Sequence, residues 1–423
     1  MKIYLDMIGC RLNQSELEII ARQFSSAGHT LVANPSEADL AVVNTCTVTT
    51  AAAADSRKII RRIARSGVKK IISTGCWSTQ YPDQALDLPG VTSVVANQDK
   101  VQLVSNLLSI DLESFDQEPI LRVPIPGSRQ RTRAFIKAQD GCSHQCTFCV
   151  TTIARGNSRS ESAAAVIREI NAAVQAGINE VVLTGVQLGS WGEDHDPAAG
   201  LQDLVYNILA KTEIPRLRLS SIEPWDIQPA LLELINEDRV ARHLHLPLQS
   251  GSALTLKRMA RAINPSQFAR LVENIRSKIP DIAITTDILT GFPGETEQDH
   301  QESQDFIQQM AFAAGHVFTY SAREGTSAAE YEDQVPHPIR KSRSAQIREV
   351  IKLDMEHYRQ RFYGSELETL WEQVDEESGT AVGLTDNYLR VEAKAHPEVW
   401  NTFSRIQVTG TTPEGVTGEI IDL

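Results

Sequence analysis

The chain has 423 residues and carries 54 acidic residues against 41 Lys and Arg, a formal net charge of -13. That length holds two or three domains with cores of their own, and the charge argues against a passive nucleic-acid coat. The opening MKIYLDMIGC reaches an acid at Asp6, unlike a signal peptide, and no apolar run approaches the ~20 residues of a spanning helix, so a cytoplasmic protein with no membrane association is expected.

The first hundred residues alternate between two patterns. IYLDMI reads as a strand and LNQSELEIIARQFSSAG as the helix after it, closing at Gly28. DLAVVN, KKIIST and GVTSVVAN supply three more strands, with a helix running to Gly67 after the first of them. This alternation predicts an open parallel sheet covered by helices. Cys10, Cys46 and Cys76 follow the first three strands, 36 and 30 residues apart. A parallel sheet turns all its strand C-termini to one edge, so these thiols are expected to converge there as a three-thiolate metal site. Taken singly, each would more often be a small buried residue. Asn13 and Asn44 either orient that rim or serve ordinary turns and caps. SRKIIRRIARSGVKK holds seven Lys or Arg and no acid. With Ile59, Ile60 and Ile63 as its apolar stripe, Arg57, Arg61, Arg62 and Arg65 form a solvated face that is also a candidate for phosphate contact.

A turn-rich stretch with Pro119, Pro124, Pro126 and Gly127 reads as a linker, giving domains at 1–120, 128–358 and 360–423. RAFIKAQ then forms a strand that delivers DGCSHQCTFCVTT, with Cys142, Cys146 and Cys149 in C-x3-C-x2-C spacing. Three thiolates within eight residues can grip one inorganic centre. Zinc would want a fourth ligand, for which His144 offers itself; a [4Fe-4S] cluster would leave one iron open. Further alternation through NEVVLTGV, RLRLSSI, HLHLPLQ, AITTDILTGF and HVFTYSAR makes about six strand and helix units, an incomplete TIM-like (β/α)6 barrel. The strand ends on its active face collect Cys142, Thr184, Gly185, Glu223, His245, Gln249, Asp287 and Arg323. Glu223 suits either an amine or ribose ligand or a salt bridge across the rim, and His245 either a ligand or the core. Glu295 reads as a helix cap. Arg129, Arg131, Arg133, Arg155 and Arg159 bring positive charge near the centre, for a polyanionic substrate or a cofactor carboxylate.

After a polar helix from Ile339 to Phe362, short Thr- and Val-rich strands predict a small antiparallel β-barrel. Such barrels often bind nucleic acid, with Tyr388 and Arg390 as candidate contacts. Residues 361–423 hold four Lys or Arg and twelve Asp or Glu, so any RNA contact is confined to a limited face.

GCRLNQSE, NTCTVT, TGC, CSHQCTFC, LTGV, SSIEP, HLPLQSG, TDILTGFPGETE, FTYSAREGT and TDNYLRV together resemble the radical SAM methylthiotransferase family. The likeness covers an N-terminal methylthiotransferase domain, a radical SAM barrel and a C-terminal TRAM domain. It implies that Cys142, Cys146 and Cys149 hold one [4Fe-4S] cluster whose open iron chelates S-adenosylmethionine, which is cleaved to a 5'-deoxyadenosyl radical. That radical would take the hydrogen from C2 of an adenine. Cys10, Cys46 and Cys76 would hold a second [4Fe-4S] cluster that presents the sulfur to be inserted. Thr184, Gly185, Glu223, His245 and Gln249 become candidates for cradling S-adenosylmethionine. The family's groups modify isopentenyladenosine in tRNA, threonylcarbamoyladenosine in tRNA, or an aspartate of a ribosomal protein. GCRLNQ with NTCTVT is most similar to the threonylcarbamoyladenosine group, although Arg11 stands where that group usually has Lys and Trp191 where Tyr is usual. The resemblance further implies a monomer acting on a tRNA anticodon loop, with an electron donor such as flavodoxin or ferredoxin.

Overall fold

The computed structural model describes residues 1–116, 125–126 and 132–422. Pro119, Pro124 and Gly127 of the expected linker lie outside the described residues, as do Arg129 and Arg131.

The first sheet holds β1 (Lys2–Met7), β2 (Thr30–Leu31), β3 (Leu40–Thr45), β4 (Ile71–Gly75) and β5 (Val91–Val95), all parallel in the order β2-β1-β3-β4-β5. LAVVNT and IISTG are buried at every position because helices cover both faces of the central strands, which removes the in-and-out alternation of a half-exposed sheet. The edge strand β2 is only two residues long and did not register as a strand in the sequence pattern.

Helix α1 (Arg11–Ser26) has a double allegiance. Leu17, Ile20, Ala21 and Phe24 enter the core of the sheet, yet Asn13, Gln14, Ser15, Glu16 and Gln23 are buried as well. The polar side is covered by the central barrel: Ser15 Oγ accepts from Lys137 N at 3.2 Å, and Arg22 grips Glu169 through two bonds of 2.6 and 2.8 Å. Helix α2 (Thr50–Arg65) is capped by Thr49, which accepts from Ala52 N, and buries Ile60 and Ile63 beneath the sheet. Arg61 and Arg65 are exposed as expected, Arg62 reaches Asp6 at 2.6 Å, and Arg57 lies over the Trp77 ring.

The central unit has β6 (Arg133–Lys137), β7 (Gln139–Asp140), β8 (Arg159–Ser160), β9 (Glu180–Thr184), β10 (Arg216–Leu219), β11 (His243–His245), β12 (Ala283–Thr290) and β13 (Ala314–Thr319). β6, β9 and β10 pair in parallel, as do β11, β12 and β13. Parallel bridges Leu217↔Val240 and Ser221↔His245 join the two groups into one six-stranded partial barrel. The short antiparallel ribbon β7 and β8 clasps the two ends of the cysteine loop. Helix Pro265–Lys278 escapes the sequence reading despite a capping box between Asn264 and Gln267, because ALTLKRMAR (253–261) reads as the helix of this unit, of which the structure forms Ala253–Arg258, and a second one before the next strand breaks simple alternation. Glu295 corrects another expectation. The cap of helix Glu297–Met310 is Thr296, boxed with Asp299, while Glu295 is buried, accepts from Gly291 N and pairs with Arg343 at 2.9 Å.

The last unit is a closed barrel of β14 (Glu366–Asp375), β15 (Thr380–Thr385), β16 (Arg390–Lys394), β17 (Phe403–Thr411) and β18 (Val416–Asp422), in the order β14-β15-β16-β18-β17. Its pairings are antiparallel except β16 with β18, a short parallel pairing that closes the ring. It docks on residues at the starts of the central strands, the end away from the cysteine loop. Fully buried Glu180 binds Arg218 at 2.8 Å, with Arg216 at 3.6 Å and Arg133 at 3.9 Å. These arginines also hold the small barrel, through Glu368, Glu372 and the carbonyls of Thr385 and Asp386. Tyr388 stacks on His243 with centroids 4.0 Å apart and an interplanar angle of 5°, so it belongs to this interface and is not a free RNA contact. Arg390 remains exposed and pairs with Glu414.

Burial alone would push Glu180 up, but the Arg218, Arg216 and Arg133 guanidiniums hold its carboxyl at about 2. A lowered folded pKa contributes stability above the unfolded value, lost as pH falls toward 2. Glu180→Gln leaves Arg218 buried without a counter-charge and is expected to cost about 3–5 kcal/mol at neutral pH. Thermal unfolding at pH 7 checks this: an unchanged midpoint would refute it.

Candidate two-centre active site

The cysteine loop begins at a glycine the backbone requires. Gly141 has φ +75°, and a Cβ there would lie 2.0 Å from the Asn157 carbonyl oxygen. Cys142 N then donates to Gly156 O at 3.0 Å, and Cys149 N donates to Cys146 O at 3.1 Å. Burial pushes the Cys142 thiol up to about 11, and the neighbouring Cys149 and Cys146 push it further the same way. Burial raises the Cys146 thiol too, and a bound cation would reverse the sign of the thiol-thiol interactions at both Cys142 and Cys146. Polar groups already face the sulfurs. Thr151 N points to Cys149 Sγ at 3.4 Å, Arg261 Nη1 to Cys146 Sγ at 3.7 Å, and Cys142 Sγ to Gln187 Oε1 at 3.2 Å. His144 does not join them. Its Nε2 accepts from Trp225 Nε1 at 3.1 Å and meets Gln187 at 2.7 Å, so that nitrogen is taken up by the barrel wall.

The second set assembles at the rim of the first sheet. Cys10 is the N-cap residue of α1, Cys46 directly follows β3, and Cys76 directly follows β4. Gly9 sits against Cys46, where an added Cβ would lie 3.1 Å from the Cys46 Cβ. Gly75 has φ +96° and no room for a Cβ, which would meet Thr45 O at 2.3 Å, so strand β4 turns sharply and delivers Cys76 beside Cys46. Cys46 and Cys76 are buried, whereas Cys10 keeps an accessible face. Burial, with Cys76 and Cys10 acting the same way, pushes Cys46 up to about 11; burial of its sulfur raises Cys10 too, with Arg155 opposing. Among the described residues no group of three or more His, Cys, Asp or Glu is arranged to hold a single metal ion. A cluster that takes its thiolates at separate corners asks for a wider spacing than one ion does.

A buried network separates and joins the two sets. Arg155 donates to Glu16 at 2.8 Å, Asp140 at 2.8 Å and Asn13 at 2.7 Å, and Lys100 donates to Glu16 at 2.6 Å and Asn44 at 3.1 Å. Burial alone would raise the Glu16 carboxyl, yet the two cations hold it well below the carboxylate range. Asn13 binds the carbonyls of Ile8 and Thr45 at 2.8 and 3.1 Å, so it does orient the rim, and Asn44 binds Asn13 O at 3.0 Å.

The strand-end residues expected to cradle a cofactor divide. Thr184 is buried, with its hydroxyl donating to Ile136 O at 3.1 Å. Gly185 lets Gln139 approach, since a Cβ would lie 2.9 Å from Gln139 Oε1. Glu223 forms the salt bridge that was the alternative reading, bidentate to Arg261 at 2.6 and 3.0 Å, beside Cys146. His245 bonds Thr285 at 3.0 Å and lies 3.3 Å from Asp287, deeper in the barrel. Gln249 has φ +74° and is bridged through its backbone to Asp287 and Leu289. Arg323 reaches across to Thr50 at 3.2 Å, on the first unit. Of the residues that depart from the family pattern, Arg11 donates to Tyr388 at 3.3 Å, and buried Trp191 donates to Glu161 O at 2.9 Å.

Sequence reasoning missed Arg261, Gln187, Asp226, Asn97, Lys100 and Glu16. Only Glu16 left a signal, as an acid beside Leu17 and Ile20 within the buried stripe of α1. Asp226 presses on Gly189, and its Oδ2 is buried with no hydrogen-bond partner. Burial pushes its carboxyl up to about 7, against a hydrogen bond from Gln187. A carboxyl raised on folding supports the fold fully below its unfolded pKa, and that support is lost as pH rises through about 7. Asp226→Asn is therefore expected to match the parent's thermal midpoint at pH 4 and exceed it at pH 8, where its stability gain is about 1–2 kcal/mol once solvent screening is discounted. Equal midpoints at pH 8 would refute it.

Residues 2–96 match the Uncharacterized protein family UPF0004, and residues 136–307 match the Radical SAM superfamily. The chain is 34% identical, over 95% of its length and 92% of the relative's, to Threonylcarbamoyladenosine tRNA methylthiotransferase MtaB of Bacillus subtilis (strain 168). It is 33% identical to the protein of the same name from Thermotoga maritima, over 98% of this chain and 96% of that one. In fold it is similar to the radical S-adenosylmethionine methyltransferase TsrM from Kitasatospora setae, at a TM-score of 0.57 and 16% identity over 78% of this chain and 77% of that one. Likeness that runs through both thiol sets and nearly the full length of both curated relatives shows that the chain belongs to the radical SAM methylthiotransferase family, in its MtaB-type branch.

Proposed function

We propose that this protein converts N6-threonylcarbamoyladenosine at position 37 of tRNA to its 2-methylthio derivative. The observation that carries the reading is the pair of three-thiol sets, on the strand ends of two different sheets and linked through one buried ion network. Each donor set suits a [4Fe-4S] cluster: three thiols, N–H donors aimed at sulfur, and an arginine beside each set to offset the charge of deprotonated ligands. Cys142, Cys146 and Cys149 would hold one cluster, and Cys10, Cys46 and Cys76 the other. When bound, the two clusters supply the electron and coordination site for cleaving S-adenosylmethionine and the sulfur for insertion.

The chain's own residues have narrower tasks. Arg261 fixes Cys146 and, through its fork, holds Glu223 at the mouth of the barrel. Glu223, Gly185 and Gln249 face the cofactor; His245 supports that wall from below, and Thr184 shapes it through its hydroxyl bond to the Ile136 carbonyl. Tight burial of Cys46, Cys76 and Arg155 keeps water from the space between the sets. The units of 1–120, 128–358 and 360–423 act as a sulfur-donor domain, a radical domain and an RNA-facing barrel. The partners are a tRNA anticodon loop and a reductant of the flavodoxin or ferredoxin class, with the protein working as a cytoplasmic monomer. No helix among the described residues is long and apolar enough to cross a membrane.

Two measurements test this. Nucleosides of tRNA from cells lacking the gene should lose 2-methylthio-threonylcarbamoyladenosine and regain it on complementation; loss of the isopentenyladenosine derivative instead would replace the substrate. Anaerobic reconstitution should load about eight irons per chain. A reproducible four, or one zinc, would sink the two-cluster assignment.

A further inference from the structure

Arg155 closes the five-residue helix Thr151–Arg155, which starts two residues after Cys149, yet its guanidinium is spent mainly on the other thiol set. With its side chain only 2% exposed, it donates to Asn13 Oδ1 and Glu16 Oε1 on α1, and to Asp140 just ahead of Cys142. Asn13 in turn holds the carbonyls of Ile8 and Thr45, the chain segments that lead into Cys10 and Cys46. The third cysteine is reached from the preceding residue of the same helix. Asn97 Nδ2 donates to Ala154 O at 2.7 Å and to Cys76 Sγ at 3.6 Å. All three segments of the second set are thereby tied to residues 154 and 155, a few residues beyond the first.

Charge gives this tie a second consequence. Arg155 and Lys100 balance Glu16 and Asp140 before any thiolate is counted, so three thiolates on a cluster leave an excess of negative charge in a dry site. Reduction of the cluster adds more. The potential of an iron–sulfur cluster follows net charge and hydrogen bonds to sulfur, and a buried cation acts there with little screening.

We infer that Arg155 and Asn97 are positioning residues for the second cluster, fixing its ligands against the radical site and setting its reduction potential by a buried positive charge and an N–H···S bond. The inference rests on the two-cluster reading above. A purely structural ion network would also lower stability when cut, but it would not move one cluster's potential alone.

The test is a redox titration of the full-length, anaerobically reconstituted protein by electron paramagnetic resonance, separating the signal that changes on adding S-adenosylmethionine from the one that does not. If the wild type holds only four irons, the two-cluster reading itself has failed. With about eight bound, Arg155→Gln is expected to move the midpoint of the S-adenosylmethionine-insensitive signal to lower potential while the other signal stays in place, and Arg155→Lys to recover most of the shift. Asn97→Ala leaves the ion network intact and should shift the same signal in the same direction, so it decides the matter if Arg155→Gln does not fold. An unmoved midpoint in Asn97→Ala, or equal movement of both signals in either variant, overturns the inference.

Discussion

Cys76→Ala is expected to abolish methylthiolation while reductive cleavage of S-adenosylmethionine continues. Cys76 is buried directly after Gly75, where the backbone turns at φ +96°, so no neighbouring side chain can take the place of its sulfur. A cluster held by three protein ligands loses its closure when one is removed, and iron should fall from about eight to about four per chain. The other set keeps its own contacts, from Thr151 N, Arg261 and Gln187, none of which passes through Cys76. Removing one small sulfur costs the polypeptide fold little, so the thermal midpoint of the iron-free protein should hardly move. Iron analysis, 5'-deoxyadenosine formation and tRNA nucleoside mass spectrometry read the three parts separately. Retained thiolation would show that the rim site does not donate the sulfur.

Arg261→Met should have the converse effect, damaging the radical site first. The Arg261 guanidinium lies 4.5 Å over the Trp225 ring, donates to Pro247 O at 2.7 Å, forks onto Glu223 and points at Cys146. Methionine replaces most of its apolar volume but leaves Glu223 without a counter-charge, at a cost of about 3 kcal/mol. Loss of a group that orients a ligand typically costs 10–100-fold, so S-adenosylmethionine cleavage should fall by about that factor. Arg261→Lys keeps the charge but not the planar fork, and should fall between the two. Cleavage at the parental rate in Arg261→Met would remove Arg261 from the site.

Both groups of cysteines stand out in the sequence, for different reasons. C-x3-C-x2-C is a local spacing, and three cysteines so close in sequence are close in space whatever the fold. Cys10, Cys46 and Cys76 needed one further step, the rule that parallel strands end on one edge, and the order β1-β3-β4 makes the three strands adjacent. Arg261, Lys100 and Asn97 gave no comparable sign, since one Arg, Lys or Asn in a polar stretch carries no period and no spacing. Tyr388 shows the opposite error. Its position in a turn suggested an RNA contact, but His243, distant in sequence, had already claimed it.

The sequence by itself determined the alternating strands and helices, the closing antiparallel segments and the six cysteines in two sets, because hydrophobic period and residue spacing are local properties of a chain. Tertiary structure alone decided how the two cysteine sets meet. Glu16 on α1, Lys100 after β5 and Arg155 beyond the cysteine loop are ordinary surface-type residues until packing excludes water from all three. Burial then leaves their charges no partners but one another, and that mutual dependence locks the rim of the first sheet to the mouth of the barrel.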